Sequence, residues 1–212
     1  MAEEAVLLVE GKDDDAVVKA IAKNTAIDST FIIKNGEQGG LTGGIEWVLQ
    51  TLPMTLVQSD LKRLGVIVDA DINLMSRWMS LTRILAREGY DDIPSHPDAG
   101  GTVVQPTGPR RPVVGIWLMP DNRLSGMLED FTALLVPPGD PLFGYARDCV
   151  RGLPPEHVRF PQSHLPKADI HTWLAWQEEP GKPLGTAITA RFLDASLPPA
   201  QAFRRWLVRL FG

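Results

Sequence analysis

Four times in the first 136 residues a short apolar run is followed by a stretch with helical apolar spacing, and this alternation restricts the fold more than any other feature of the chain. "AVLLV" (5–9) precedes "DDDAVVKAIAKN" (13–24), and "TFIIK" (30–34) precedes "TGGIEWVLQTL" (42–52). "LGVIV" (64–68) precedes "LMSRWMSLTRILARE" (74–88), and "VVGIWLM" (113–119) precedes "SGMLEDFTALLV" (125–136). A short, continuous apolar run suits a strand covered on both faces, while apolar residues three and four apart suit a helix laid against a sheet. Such units joined by right-handed crossovers predict a three-layer α/β/α, Rossmann-like fold with a mainly parallel sheet.

Residues 89–112 are rich in Gly, Pro and Asp and read as an irregular excursion, with "TVVQ" as a hairpin partner of the fourth strand. The expected organisation is therefore an α/β core over 4–136 and a mostly helical C-terminal extension, 137–212, packed on it. In that extension one helix is expected at about 167–177 and an amphipathic one over "PAQAFRRWLVRLF". The two tyrosines, Tyr90 and Tyr145, lie in loop-like surroundings, and the six tryptophans fall on apolar helical spacings that favour core packing.

No apolar run reaches membrane-spanning length, the N-terminus is acidic where an export signal is basic, and the single Cys149 excludes an internal disulfide framework. A cytoplasmic protein with no membrane partner is expected. The four histidines form no recognisable zinc set. The net charge of −5 disfavours purely electrostatic nucleic-acid binding, but the acids are concentrated in residues 1–100 and the second half is slightly basic.

In a parallel sheet, ligands bind beyond the carboxyl ends of the strands. The first run ends in Glu10-Gly11-Lys12 and the third in Asp69-Ala70-Asp71. In an extended chain residues i and i+2 share a face, which puts Asp69 and Asp71 about 6 to 7 Å apart. If the edges are adjacent, Glu10 joins them. Three crowded carboxylates repel unless a cation neutralises them, and all-oxygen donors call for Mg²⁺ or Mn²⁺.

"LLVEGKDD" followed some sixty residues later by "VIVDADIN" resembles the Toprim domain shared by bacterial primases, type IA and type II topoisomerases and the OLD-family nucleases. The resemblance covers roughly residues 4–136. It implies that Asp69 and Asp71 hold Mg²⁺ during phosphodiester chemistry, that Glu10 acts as general acid or base or as a metal ligand, and that Gly11 lets the backbone approach. "SGMLEDF" resembles the acidic stretch opening the last core helix of the nuclease branch, which makes Glu129 a candidate for a second metal. Lys167 resembles the lysine that follows the core there. The chain departs from the topoisomerase pattern at Asn73, where a third aspartate is common, so the nuclease branch is closest in pattern.

Other residues carry plainer readings. Asp13, Asp14 and Asp15 suit the positive end of a helix dipole, and "NGEQGGLTGG" reads as a turn before a helix rather than a phosphate loop. Lys12 is either a phosphate contact or a solvated lysine, and Lys167 shares a helical face with His171. The resulting expectation is Mg²⁺-dependent phosphoryl transfer on nucleic acid, most simply hydrolysis. The alternative is a non-catalytic module of the same kind that binds nucleic acid, a protein partner or a second copy of itself.

Overall fold

The structure, a computed structural model, describes residues 4–23, 31–40 and 42–212. Asn24, Thr30 and Leu41, which belong to three of the segments assigned from sequence, lie outside the described residues.

Among the described residues five strands form one sheet: β1 (Ala5–Val9), β2 (Ile32–Lys34), β3 (Arg63–Asp69), β4 (Thr102–Val104) and β5 (Val113–Met119). Their order is β2-β1-β3-β5-β4, with every pairing parallel except that of β4 with β5. The "TVV" segment thus pairs antiparallel with the fourth apolar run, as its sequence position predicts. Eight α-helices accompany the sheet among the described residues: α1 (Lys12–Ala22), α2 (Ile45–Leu56), α3 (Leu74–Arg87), α4 (Leu128–Ala133), α5 (Pro141–Arg151), α6 (Leu165–Ala175), α7 (Leu184–Thr189) and α8 (Pro198–Phe211).

Strand alternation divides the core into two layers. Val6 and Leu8 of β1, Val66 and Val68 of β3, and Ile116 and Leu118 of β5 pack with Leu52 and Leu56 of α2 and Trp78 and Leu81 of α3. Leu7 and Val9, Ile67, and Trp117 and Met119 face the other way, against α1, α4, α6, α7 and α8. This is a three-layer α/β/α arrangement, and each long strand is buried on both sides as its unbroken apolar run requires.

The segment after residue 136 supplies much of the second layer. Phe203, Trp206, Leu207 and Leu210 of α8 are buried, with Trp117 at 5.0 Å from the Phe203 ring and 5.7 Å from the Trp206 ring. Gly65 and Gly115 make this approach possible, since a Cβ on Gly115 would stand 2.4 Å from Leu210 Cδ2. The segment expected as an extension packed on the core lies against one face of the sheet.

Two helices were not foreseen. One is α5, which starts at Pro141 behind the cap of Asp140, whose Oδ1 accepts from Leu142 N–H at 2.7 Å. Tyr145 lies on this helix, so its assignment to a loop is corrected: the Pro-rich flanks masked a helix that begins with a proline in its first turn. The other is α7, which packs against α1 with Gly185 so close that a Cβ would stand 2.6 Å from the Ala16 carbonyl oxygen. The "GEQG" stretch forms a short 3-10 turn in which Asn35 Oδ1 accepts from Gln38 N–H.

Candidate acidic centre at the sheet edge

β1 and β3 are parallel neighbours with Val9 opposite Ile67, so the residue after β1 lies one position short of Asp69. The Glu10 carboxylate uses that offset and accepts a hydrogen bond of 2.9 Å from the Asp69 backbone N–H. Asp69 in turn accepts at Oδ1 from Leu128 N–H, 2.9 Å, which ties the start of α4 to the end of β3. Glu10 and Asp69 thus meet at a common edge, as the strand ends predict.

The chain around Glu10 is held tightly. Gly44 N–H donates to the Glu10 carbonyl at 2.8 Å, and a Cβ on Gly43 would stand only 2.6 Å from that oxygen. Gly11 caps α1, and its N–H donates to Asp14 Oδ2 at 3.0 Å. Asp14 is therefore turned inward and is 7% exposed. Sequence reasoning assigned it with Asp13 and Asp15 to the helix dipole. The missed signal was its place three residues after a helix-starting glycine, where a capping carboxylate folds back over the strand end.

Electrostatics mark these three acids as one group. Burial pushes the Glu10 carboxyl above its usual range against the lowering effect of the Asp69 N–H and Arg77. Burial, then the charge of Glu10, raises Asp14 to about 7. Asp69 is raised well above the ordinary carboxylate range by burial, then by Asp14, Glu10, Glu129 and Asp71. Buried like charges that act on one another disfavour simultaneous ionisation, which is the condition a cation or a shared proton relieves.

Asp71 departs from the expected geometry. Its φ is 53°, so the backbone leaves the extended conformation on which the shared-face argument depended. The turn is fixed by a two-residue bridge in which Asp71 N–H donates to Gly126 O and Gly126 N–H donates to Asp71 O, at 2.8 and 2.7 Å. Its exposed carboxylate pairs with Arg77 of α3, whose Nε donates at 2.9 Å to the Asp69 carbonyl oxygen. Capping of α3 is done by Asn73, which accepts from Ser76 N–H at 2.9 Å, so neither aspartate is spent on it.

Glu129 is 5% exposed and forms an ion pair of 3.0 Å with Lys167 of α6. The Glu129 carboxylate raises the Lys167 ammonium above its usual range. Asp130, as expected, turns elsewhere and accepts from Met127 N–H at 2.8 Å. Lys12 pairs with Glu37 at 2.8 Å, and both line an open cleft of about 700 Å³ with Glu10, Thr42, Gly43 and Lys167. His171 is exposed on α6, one turn beyond Lys167.

The structure brings Glu10, Asp69, Glu129 and Lys167 to one region and adds Asp14 and Arg77. It does not assemble a coordination set: among the described residues no three His, Cys, Asp or Glu side chains are arranged to hold a metal ion. Alternation explains this, because Glu10 follows the α2 face of the sheet and Asp69 the α1 face. The two meet through a backbone N–H rather than oxygen to oxygen. In chemistry the all-oxygen donor set suits a hard divalent cation. In geometry the acids are already engaged with Arg77, Lys167 and backbone N–H groups.

Fold and site together define a three-layer α/β protein with a buried acidic centre at the carboxyl edge of its parallel strands. The chain belongs to the family described as a protein of unknown function, DUF3226, whose sequence model matches residues 4–212. No curated protein and no solved structure matches it.

Proposed function

We propose that this is a Toprim-like protein that performs Mg²⁺- or Mn²⁺-dependent phosphoryl transfer on nucleic acid, as a phosphodiesterase. The observation that carries the reading is the group of Glu10, Asp14 and Asp69, buried together at the strand ends with their carboxyls raised first by burial, those of Asp14 and Asp69 also by neighbouring acids of the group. Perturbed acids in a cleft at the carboxyl edge of a parallel sheet are where metal-assisted chemistry is sought first.

Asp69, Asp71 and Glu10 would hold the ion, with Glu129 available for a second. Bound there, a divalent cation would orient water and neutralise charge on the phosphate. The chain's own residues supply the rest. The carboxylate of Glu10 or Asp14 takes a proton from the water whose oxygen bonds to phosphorus, the bond from phosphorus to the sugar oxygen breaks, and that oxygen leaves as a hydroxyl with a proton from solvent. Lys167 and Lys12, at the rim of the same cleft, neutralise phosphate oxygens. Gly43 and Gly44 keep that wall free of side chains.

A second reading has its own support: the acids are paired with Arg77, Lys167 and backbone N–H groups rather than set around a common point. It makes the protein a non-catalytic module that uses the same surface for nucleic acid, a protein partner or a second copy. For either reading a cytoplasmic location is proposed. It is motivated by the lone Cys149 and consistent with the finding that no helix among the described residues is long and apolar enough to cross a membrane.

The test is a nuclease assay with Mg²⁺ or Mn²⁺ on single-stranded DNA, duplex DNA and RNA, comparing wild type with Asp69→Asn. Cleavage by wild type that the variant loses supports hydrolysis. Equal activity in both rejects the catalytic assignment.

A further inference from the structure

On the far side of α4 and α6 from the Glu129–Lys167 pair lies a second cleft of about 420 Å³, which the acidic centre does not use. Its walls are apolar, formed by Leu124, Leu134, Phe143 and Leu165. Leu124 and Leu134 hold 59% and 43% of their surface in water and lie together at the rim of this cleft, as one exposed apolar patch. Phe143, Arg147 and Arg151 share one face of α5 at spacings of four, and that face looks into the cleft.

The polar groups are few and placed at the edges. Asp169, 6% exposed, accepts from Arg151 Nη1 at 3.1 Å and pairs with Arg147 at 3.7 Å. The Arg147 guanidinium lies 5.9 Å from the centroid of the Phe143 ring. Asp130 adds a carboxylate on the α4 side. Two guanidiniums and two carboxylates leave the cleft without net charge, so its polar groups act as paired donors and acceptors rather than as a phosphate trap. Apolar walls of this size, with donors and acceptors at the margin, fit a flat neutral heteroaromatic ring.

The location narrows the occupant. Glu129 faces the acidic centre and the next residue, Asp130, faces the cleft, with Cα atoms about 3.8 Å apart. Lys167 and Asp169 divide in the same way on α6. The loop carrying Leu124 and Ser125 continues into Gly126, which bridges to Asp71. We infer that this cleft receives a nucleobase of the strand whose phosphate lies at the acidic centre, with the ring between Leu134 and Phe143 and its edge read by Arg147, Arg151 and Asp130. The inference rests on the nucleic-acid reading of the acidic centre, and its test does not depend on cleavage.

Single-stranded oligonucleotides carrying one photoreactive base at successive positions are irradiated with the full-length protein in chelator and, in parallel, in Mn²⁺, and adducts are mapped by mass spectrometry. The expected adduct is on Leu134, Phe143 or Leu165, from one position in the strand. Leu134→Glu, at an exposed rim position that leaves the core intact, lowers its yield about tenfold, the scale of one lost apolar contact with the ring. Arg147→Gln lowers the yield without unfolding the protein, since Arg151 still pairs with Asp169 at 2.9 Å. Adducts confined elsewhere, such as on Tyr145 or Trp176, or no adduct at all, overturn the inference. If cleavage that depends on Asp69 persists in that case, the phosphodiesterase reading stands without it. Adducts in the cleft with no cleavage under any metal keep the base site and remove the catalysis.

Discussion

The Glu10 carboxylate accepts a 2.9 Å hydrogen bond from the backbone N–H of Asp69, 59 residues further along the chain. Through this contact the end of β1 reads the position of the end of β3. It also fixes the acidic centre to the ends of two paired strands rather than to a loop.

Burial and the charge of Glu10 hold Asp14 at about 7, against an ordinary value of 3.8. Between these values the folded protein keeps a proton that the unfolded chain has released. The stability this contributes is complete below pH 3.8 and is lost as pH rises through 7. Metal-free protein is therefore expected to melt at lower temperature near pH ~8 than near pH ~5.5, and Asp14→Asn should flatten that slope and raise the melting temperature at ~8 by roughly 2–8 °C. Calorimetric melts in chelator over this range provide the check, and an unchanged slope in the variant would remove Asp14 from the group.

Because Arg77 occupies the Asp71 carboxylate, a divalent ion at this edge has to displace a guanidinium. Removing that competitor in Arg77→Ala should tighten Mn²⁺ binding by about tenfold, a change of about 1.4 kcal/mol. Asp69→Asn should abolish it. Titration calorimetry distinguishes the variants, and weaker binding in Arg77→Ala would show that the arginine organises the site rather than blocking it.

Glu129 is buried and Lys167 is half exposed, so the loss of the lysine matters more for what it leaves behind than for the pair itself. Lys167→Met should destabilise by about 1–3 kcal/mol by stranding a carboxylate away from water. Adding Glu129→Gln should recover most of that loss. Denaturant unfolding of the single and double variants measures both, and a double variant no better than the single would contradict the argument.

Helix α8 closes one face of the sheet through Gly65 and Gly115. Gly115→Ala should cost about 1–3 kcal/mol by overpacking against Leu210 and Trp206. Removal of residues 198–212 should leave a chain that does not fold cooperatively, since it exposes Trp117 and its neighbours. Circular dichroism melts read both outcomes. A truncated chain with a sharp transition near that of wild type would make α8 an accessory after all.

What the sequence by itself determined is local: apolar runs long enough for strands buried on both faces, helical spacing between them, and acids on the residues where two of those runs end. These follow from chemistry within a few residues, so Glu10, Asp69 and the antiparallel "TVV" strand were readable before any coordinates. The tertiary structure decided which acids share a field. Asp14 joins the centre because a helix cap folds it over the neighbouring strand, and Asp71 leaves the common face because Gly126 bends its backbone. It also decided that the last helix covers the sheet, a matter of shape between glycines in the strands and leucine and tryptophan on α8. The Asp14 cap is local, but the Asp71–Gly126 bridge and the seat of α8 on the strand glycines join residues far apart in the chain, where side-chain spacing carries no information about who meets whom.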